Sequence, residues 1–128
     1  MMRTTPRKRP TVRLHLWLET DEGVVFGIGR AMLLMKVGQY GSLKEAAADL
    51  GMSYRAAWGK IRKTEEILGA PLIVRNANKR KGYDLTDYGR LLTEKFMAWF
   101  HEIEDAALEK AGEAFEWRVK PFEGGVSD

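Results

Sequence analysis

A mainly α fold with small β elements follows from three observations on the sequence. Stretches with an apolar period near 3.6 are punctuated by helix signals, openers at Ser42, Ser53 and Thr86 and stops at Gly38, Gly51 and Gly69. Short alternating or β-branched runs lie before and between them. A final run of about thirty residues holds one continuous apolar seam from Leu92 to Ala106. At 128 residues, with 45% hydrophobic and 30% charged residues, the chain has the size and balance of one soluble domain.

The elements are predicted in chain order. Val12, Leu14, Leu16 and Leu18 alternate with Arg13, His15, Trp17 and Glu19, the period of a half-buried strand over 12–19. Thr20-Asp21-Glu22-Gly23 supplies a turn, and Val24-Val25-Phe26 returns as the second strand of a hairpin. An apolar helix over about 30–37 is expected to end at Gly38, with Gly41 just beyond. Ser42 and Glu45 have capping-box spacing and open a short helix over 43–50, stopped by Gly51. Ser53 caps the next helix, which runs to Leu68 and ends at Gly69-Ala70-Pro71. Leu72-Ile73-Val74 and the residues around Tyr83 to Leu85 read as two short strands around the basic loop 76–82. Thr86 caps the last helix, and the tail after Trp117 is expected to be irregular. The predicted organisation is a basic flexible tail over 1–11, a body over 12–85, the long helix over 86–117 and an irregular tail over 118–128.

Charge is unevenly distributed although the net value is only +3. Arg3, Arg7, Lys8 and Arg9 fill the N-terminal tail. Arg55, Lys60, Arg62 and Lys63 form a second cluster, and Arg75, Lys79, Arg80 and Lys81 a third, whereas acids outnumber bases from Asp84 to Glu116. One basic and one acidic end suit a protein that turns a single face toward a polyanion.

The region from Leu43 to Ile61 has the spacing of a helix-turn-helix. Ala47 is small where a second helix crosses, Gly51 provides the left-handed turn, and Leu50, Ala57 and Ile61 are apolar inside. At 100° per residue Ala57, Ile61, Thr64 and Leu68 share one face. Arg55, Gly59 and Arg62 lie opposite, flanked by Lys63 and by Trp58, which is read as partly core. Two arginines beside a residue without a side chain suit a close approach to a major groove, where arginine pairs bidentately with guanine. Ser53, Tyr54 and Lys63 are placed for phosphates. Lys79, Arg80 and Lys81 sit at the tip of a strand-loop-strand with the layout of a wing, suited to the backbone or a minor groove. The partner class these residues predict is double-stranded DNA.

Leu92, Phe96, Trp99, Ile103 and Ala106 recur at spacings of four, three, four and three along the last helix. A core this small is not expected to cover the whole seam, so these residues are the predicted contacts of a homodimer.

Enzyme chemistry finds no support. His15 and His101 are expected to lie far apart, and Glu102, Glu104 and Asp105 read as a solvated face. Gly27-Ile28-Gly29 is too short for a dinucleotide fingerprint. No catalytic residue, metal ligand or cofactor is predicted. Zero cysteines suit a reducing cytoplasm, and no apolar run approaches membrane-spanning length.

These residues carry a resemblance. Ser42 to Leu50 followed by Gly-Met-Ser-Tyr-Arg-Ala-Ala-Trp-Gly-Lys-Ile over 51–61 is similar to the N-terminal domain of ModE-type, molybdate-responsive transcription regulators. More distantly it resembles LysR-type regulators. Leu-Gly-Ala-Pro-Leu-Ile-Val-Arg over 68–75 and Leu-Thr-Asp-Tyr-Gly over 85–89 extend the likeness, which covers about 12–103. It implies a winged helix-turn-helix with an N-terminal hairpin and a long C-terminal dimerisation helix, acting as a sequence-specific transcription regulator. Full-length ModE-type proteins carry C-terminal molybdate domains, and this chain is expected to act without one. The alternative is a winged-helix protein-interaction module that partners a separate effector-binding sensor protein.

Overall fold

The computed structural model describes residues 4–76 and 82–124. Its elements are β1 (Thr11–Val12), β2 (Trp17–Thr20), β3 (Gly23–Gly27), α1 (Ile28–Tyr40), α2 (Leu43–Asp49), α3 (Tyr54–Leu68), β4 (Ile73–Arg75), β5 (Tyr83–Leu85), α4 (Asp87–Phe115) and β6 (Lys120–Pro121). The four helices surround one core, and three two-stranded sheets, β1-β6, β2-β3 and β4-β5, lie at its margins. Among the described residues no helix is long and apolar enough to cross a membrane.

Local capping explains most of the helix ends. Ser42 accepts from the Glu45 amide, Ser53 from the Ala56 amide and Thr86 from the Gly89 amide, each satisfying a free N–H of a first turn. Gly41 and Gly69 close α1 and α3 in the left-handed conformation, at φ 66° and 68°. Predicted to end at Gly38, α1 instead runs three residues further. A Cβ at residue 38 would stand 3.3 Å from Leu85 Cδ1, so glycine admits β5 close to the helix. That packing outweighs the roughly 1 kcal/mol helix penalty of a glycine.

Phe26, Leu33, Leu34, Val37, Leu43 and Ile61 are fully buried and tie β3 to the first three helices. The fourth helix completes the same core. Phe96 meets Phe26 edge to face at 5.3 Å, and Thr93 and Phe100 are buried beside them. A boundary between 85 and 86 therefore cuts through the core, because the first half of α4 is one of its walls. Two polar ties cross the interior: Arg30 Nε donates to the Lys60 carbonyl at 3.2 Å, and Thr64 Oγ1 donates to the Val25 carbonyl. On the surface, Lys36 and Tyr40 of α1 both donate to the Asp49 carboxylate of α2, at 2.6 and 3.1 Å. The Lys36 hydrogen bond and then that of Tyr40 hold this carboxyl below its ordinary pKa.

Both chain ends depart from expectation. The alternation over 12–16 is real in burial, with Val12, Leu14 and Leu16 half-buried and Arg13 and His15 exposed, but the strand is split. Thr11 and Val12 pair in parallel with Lys120 and Pro121, whereas only Trp17–Thr20 pairs with β3, with a register shift between Leu18 and Glu19. Among the described residues β2 pairs only with β3, and Leu18 is 46% exposed rather than buried. The segment 118–128, expected to be irregular, contains β6. The N-terminal tail is tied to it: Arg9 donates to the Val119 carbonyl, Lys120 N to the Pro10 carbonyl and Trp117 Nε1 to the Thr4 carbonyl.

Candidate nucleic-acid interface

The turn between α2 and α3 is set by backbone chemistry. Gly51 takes φ 70°, which returns the Met52 amide to the Ala47 carbonyl at 3.0 Å. Ala47 is 1% exposed, which leaves no room for a larger side chain at the crossing. The second helix then divides as its period predicts. Ala57, Ile61 and Thr64 are buried, with Leu68 half-buried beside them.

Ser53, Tyr54, Arg55, Gly59, Arg62 and Lys63 are all exposed. A Cβ built on Gly59 meets no heavy atom within 4 Å, so this position faces open space in the middle of α3. Arg62 is exposed and has contacts on its own helix. Its guanidinium lies 5.4 Å from the Trp58 ring centroid, and Nη1 is 3.5 Å from Glu65 Oε1. Lys63 leans toward the hairpin turn, where a Cβ at Gly23 would come within 3.3 Å of its Cε. Trp58 is half-buried, while Tyr54 is 47% exposed and lies mostly outside the core.

Strands β4 and β5 pair antiparallel, and the Asn76 amide donates to the Gly82 carbonyl at their open end. The expected wing residues Lys79, Arg80 and Lys81 lie outside the described residues. The base of the strand pair is well placed. The Arg75 guanidinium lies 5.4 Å from the Tyr83 ring centroid, and both residues line a groove with Leu43, Lys44 and Tyr54 beside the first turn of α3.

Several participants were missed by sequence reading. Glu66 is exposed and lies about 20° from Gly59 on the helical wheel, so the outward face ends in an acid. The same wheel would have revealed it. Lys44 joins the face from α2. Glu65 looks like another surface acid, yet its Oε2 accepts the Leu72 and Ile73 amides at 2.7 and 3.4 Å, anchoring β4 to α3. The described part of the basic tail has its hydrogen-bond partners elsewhere, at Trp117, Val119 and Lys120. Its partners follow α4, whose 29 residues at ~1.5 Å each put them about 43 Å along the helix from Thr86.

The predicted seam on α4 divides. Phe96 is 3% exposed within its own domain, between Phe26 and Trp99, and is thereby corrected from a dimer contact to a core residue. Leu92 and Trp99 are half-buried against the core, and Ile103 and Ala106 are exposed. Tyr88 and Leu91 add exposed apolar area nearer the helix start. His15 and His101, expected far apart, line one cavity of about 210 Å³ with Ile28, Met32, Met97 and Phe100. The strand split brings this about, because residues 13–15 pass along α4 instead of continuing the hairpin. Among the described residues no group of three or more His, Asp or Glu is placed to hold a metal ion.

Comparison with known proteins agrees with this geometry. Residues 29–90 match the family described as bacterial regulatory helix-turn-helix protein, lysR family. The chain is 37% identical over 111 residues to the molybdenum transport protein ModE of Azotobacter vinelandii, an alignment covering 84% of this chain and 39% of that protein. It is 33% identical over 97 residues to the molybdenum-pterin-binding protein MopB of Rhodobacter capsulatus, covering 73% of this chain and 34% of that one. The chain thus spans less than two-fifths of the length of these curated relatives. Among solved structures, the DNA complex of CbnR_DBD matches with a TM-score of 0.59 at 19% identity, over 70% of this chain and 99% of that one. Vibrio fischeri DarR in complex with DNA matches with a TM-score of 0.55 at 15% identity, over 76% and 30%. At these identities the structural likeness is one of fold, that of a winged helix-turn-helix extended by a long C-terminal helix. The resemblance expected from residues 12–103 is borne out.

Proposed function

We propose that this chain, which carries a lysR-type helix-turn-helix over residues 29–90 and resembles ModE-type regulators, is a sequence-specific transcription regulator that grips duplex DNA as a homodimer. The observation that carries the reading is the outward face of α3, where Arg55 and Arg62 flank a glycine with open space above it. A duplex can approach such a helix to backbone distance, and arginine reads guanine edges there. Apolar anchors, which a protein-docking face would present, are absent from positions 55, 59 and 62. Selecting bound sequences from a random duplex pool with purified protein tests this directly, and recovery of no preferred sequence would end it.

Phosphate contacts from α3, Lys44 and the loop at 79–81 predict binding that weakens steeply with salt, by about 0.9 in log–log slope per neutralised phosphate. Replacing Lys79, Arg80 and Lys81 together by alanine is expected to flatten that slope and leave the preferred sequence unchanged. A flat slope in the wild type would favour a partner protein over DNA.

The second copy is assigned to the exposed part of the α4 seam. Phe96→Ala would not test this, because emptying a buried phenylalanine costs about 3–5 kcal/mol by itself. Ile103→Glu with Ala106→Glu leaves the core intact, since both positions are exposed. The expected product is a folded monomer with weakened DNA binding, in contrast to a wild-type dimer at micromolar concentration by sedimentation. A double variant that still sediments as a dimer would place the interface elsewhere.

A further inference from the structure

We propose that Trp58 and Tyr83 are a rigid spacer holding two arginines, Arg62 of α3 and Arg75 of β4, at a fixed separation on the duplex. Arg75 is thereby a further DNA contact, and Trp58, Tyr83 and Glu65 are positioning residues. The inference rests on the function proposed above.

Four side chains form one ladder. The Arg62 guanidinium lies 5.4 Å from the Trp58 ring centroid, the Trp58 and Tyr83 rings lie 5.7 Å apart with their planes tilted by 48°, and the Arg75 guanidinium lies 5.4 Å from the Tyr83 ring centroid. The order is cation, ring, ring, cation, and it crosses from one element to another. Arg62 and Trp58 are one turn apart on α3, while Arg75 and Tyr83 face each other in the register of β4 and β5. Both rings are half-buried and both arginines exposed, so the middle of the ladder is held by the protein and its ends are offered to solvent.

Contact with a ring leaves the chemistry of arginine available. A guanidinium attracted to a ring through its charge keeps N–H donors free at its edge, where phosphate oxygens and guanine acceptors are met. A side chain already held in place loses less freedom on binding than one recruited from solution. Glu65 adds a second link between the same two elements. One carboxylate oxygen faces Arg62, and the other accepts the Leu72 and Ile73 amides that begin β4. Glu65 thus contacts both Arg62 and the start of the wing strands. Arg75 shares its groove with Lys44 and Tyr54, two further phosphate-binding types, which assigns it to the DNA backbone rather than to a base.

The test uses the intact chain and the duplex selected above. Arg75→Ala is expected to weaken selected and random duplexes alike and to lower the salt slope by about one unit. Tyr83→Leu cuts the ladder, and in that background the costs of Arg62→Ala and of Arg75→Ala should each shrink by at least about threefold. Tyr83→Phe keeps the ring and should restore both costs, which a residue that merely stabilises the fold would not predict. If Tyr83→Leu does not fold, the double variant Arg62→Ala with Arg75→Ala in the otherwise intact chain gives the same answer. Its cost should differ from the product of the single costs by at least about threefold. Additive costs, full arginine costs in Tyr83→Leu, or an Arg75→Ala variant with unaltered affinity and slope would overturn the spacer. Those results leave wild-type sequence preference intact, whereas a wild type without any preference would overturn the function it rests on.

Discussion

Replacing Gly89 by alanine is expected to cost roughly 3 kcal/mol of stability or more, and to lower the melting temperature by about 10 °C or more. A Cβ there would stand 2.2 Å from the Leu72 carbonyl oxygen, 3.0 Å from its carbon and 3.2 Å from its Cα. The obstacle is backbone, and that backbone is fixed on every side. The Leu72 amide donates to Glu65, its carbonyl accepts from the Thr86 amide at 2.9 Å, and its side chain is 1% exposed. Thr86 Oγ1 joins the same knot by donating to the Pro71 carbonyl. Alanine gains up to about 1 kcal/mol over glycine in helix propensity, and the clash must exceed that gain severalfold. Relief requires the start of α4 to swing away from β4, which draws Phe96 off Phe26. Urea or thermal unfolding measures the loss, and a variant that melts within two or three degrees of wild type would show that the approach is looser than described.

Gly59→Glu is expected to have the opposite profile, abolishing DNA binding while the fold survives. Nothing lies within 4 Å of a Cβ at this position, and glutamate is a better helix former than glycine. Arg62 and Lys63 stand three and four residues on, where they can pair with the new carboxylate, so the melting temperature should hold or rise. The same carboxylate would face the phosphates and occupy the space that a groove wall needs. Arg55→Ala and Arg62→Ala should each cost about 1–3 kcal/mol on the selected site and much less on random DNA, since a base contact is worth little where the base is wrong. Binding titrations on both duplexes, run beside thermal melts, separate contact from folding. Unfolding by Gly59→Glu, or specific binding left intact, would move the recognition surface off this face.

The parts of the molecule legible from its residues are those governed by local rules. Ser42, Ser53 and Thr86 cap helices because a short hydroxyl next to a free N–H does so wherever it occurs. Gly51 turns because few other residues accept its φ. The two faces of α3 follow from its period, and so does the exposure of Arg55, Gly59 and Arg62. What stayed hidden depends on partners distant in sequence. The seam on α4 announces an apolar face without saying what covers it, and Phe96 is covered by Phe26, seventy residues earlier. Gly38 carries a breaker's identity, but Leu85 makes its missing side chain useful inside the helix. Glu65 is indistinguishable from Glu66 by composition; only the arrival of Leu72 and Ile73 separates a strand anchor from a solvated acid.

The parallel pairing of Thr11 and Val12 with Lys120 and Pro121 implies an order of assembly. Arg9 and Val119, which meet in that clasp, are separated by 110 residues. Closing so long a loop in a free chain costs about 4 kcal/mol or more in entropy, beyond what two short strands return. The strands can therefore join only after α4 has docked and carried Trp117 to the place where the N-terminal arm runs. The helices, built from near neighbours, should form early, and the two ends should meet last. The same clasp should open first from the native state, so the Lys120 amide is expected to exchange with solvent well before the amides of α1. Comparable protection at both sites would mean that the chain ends fold together with the core.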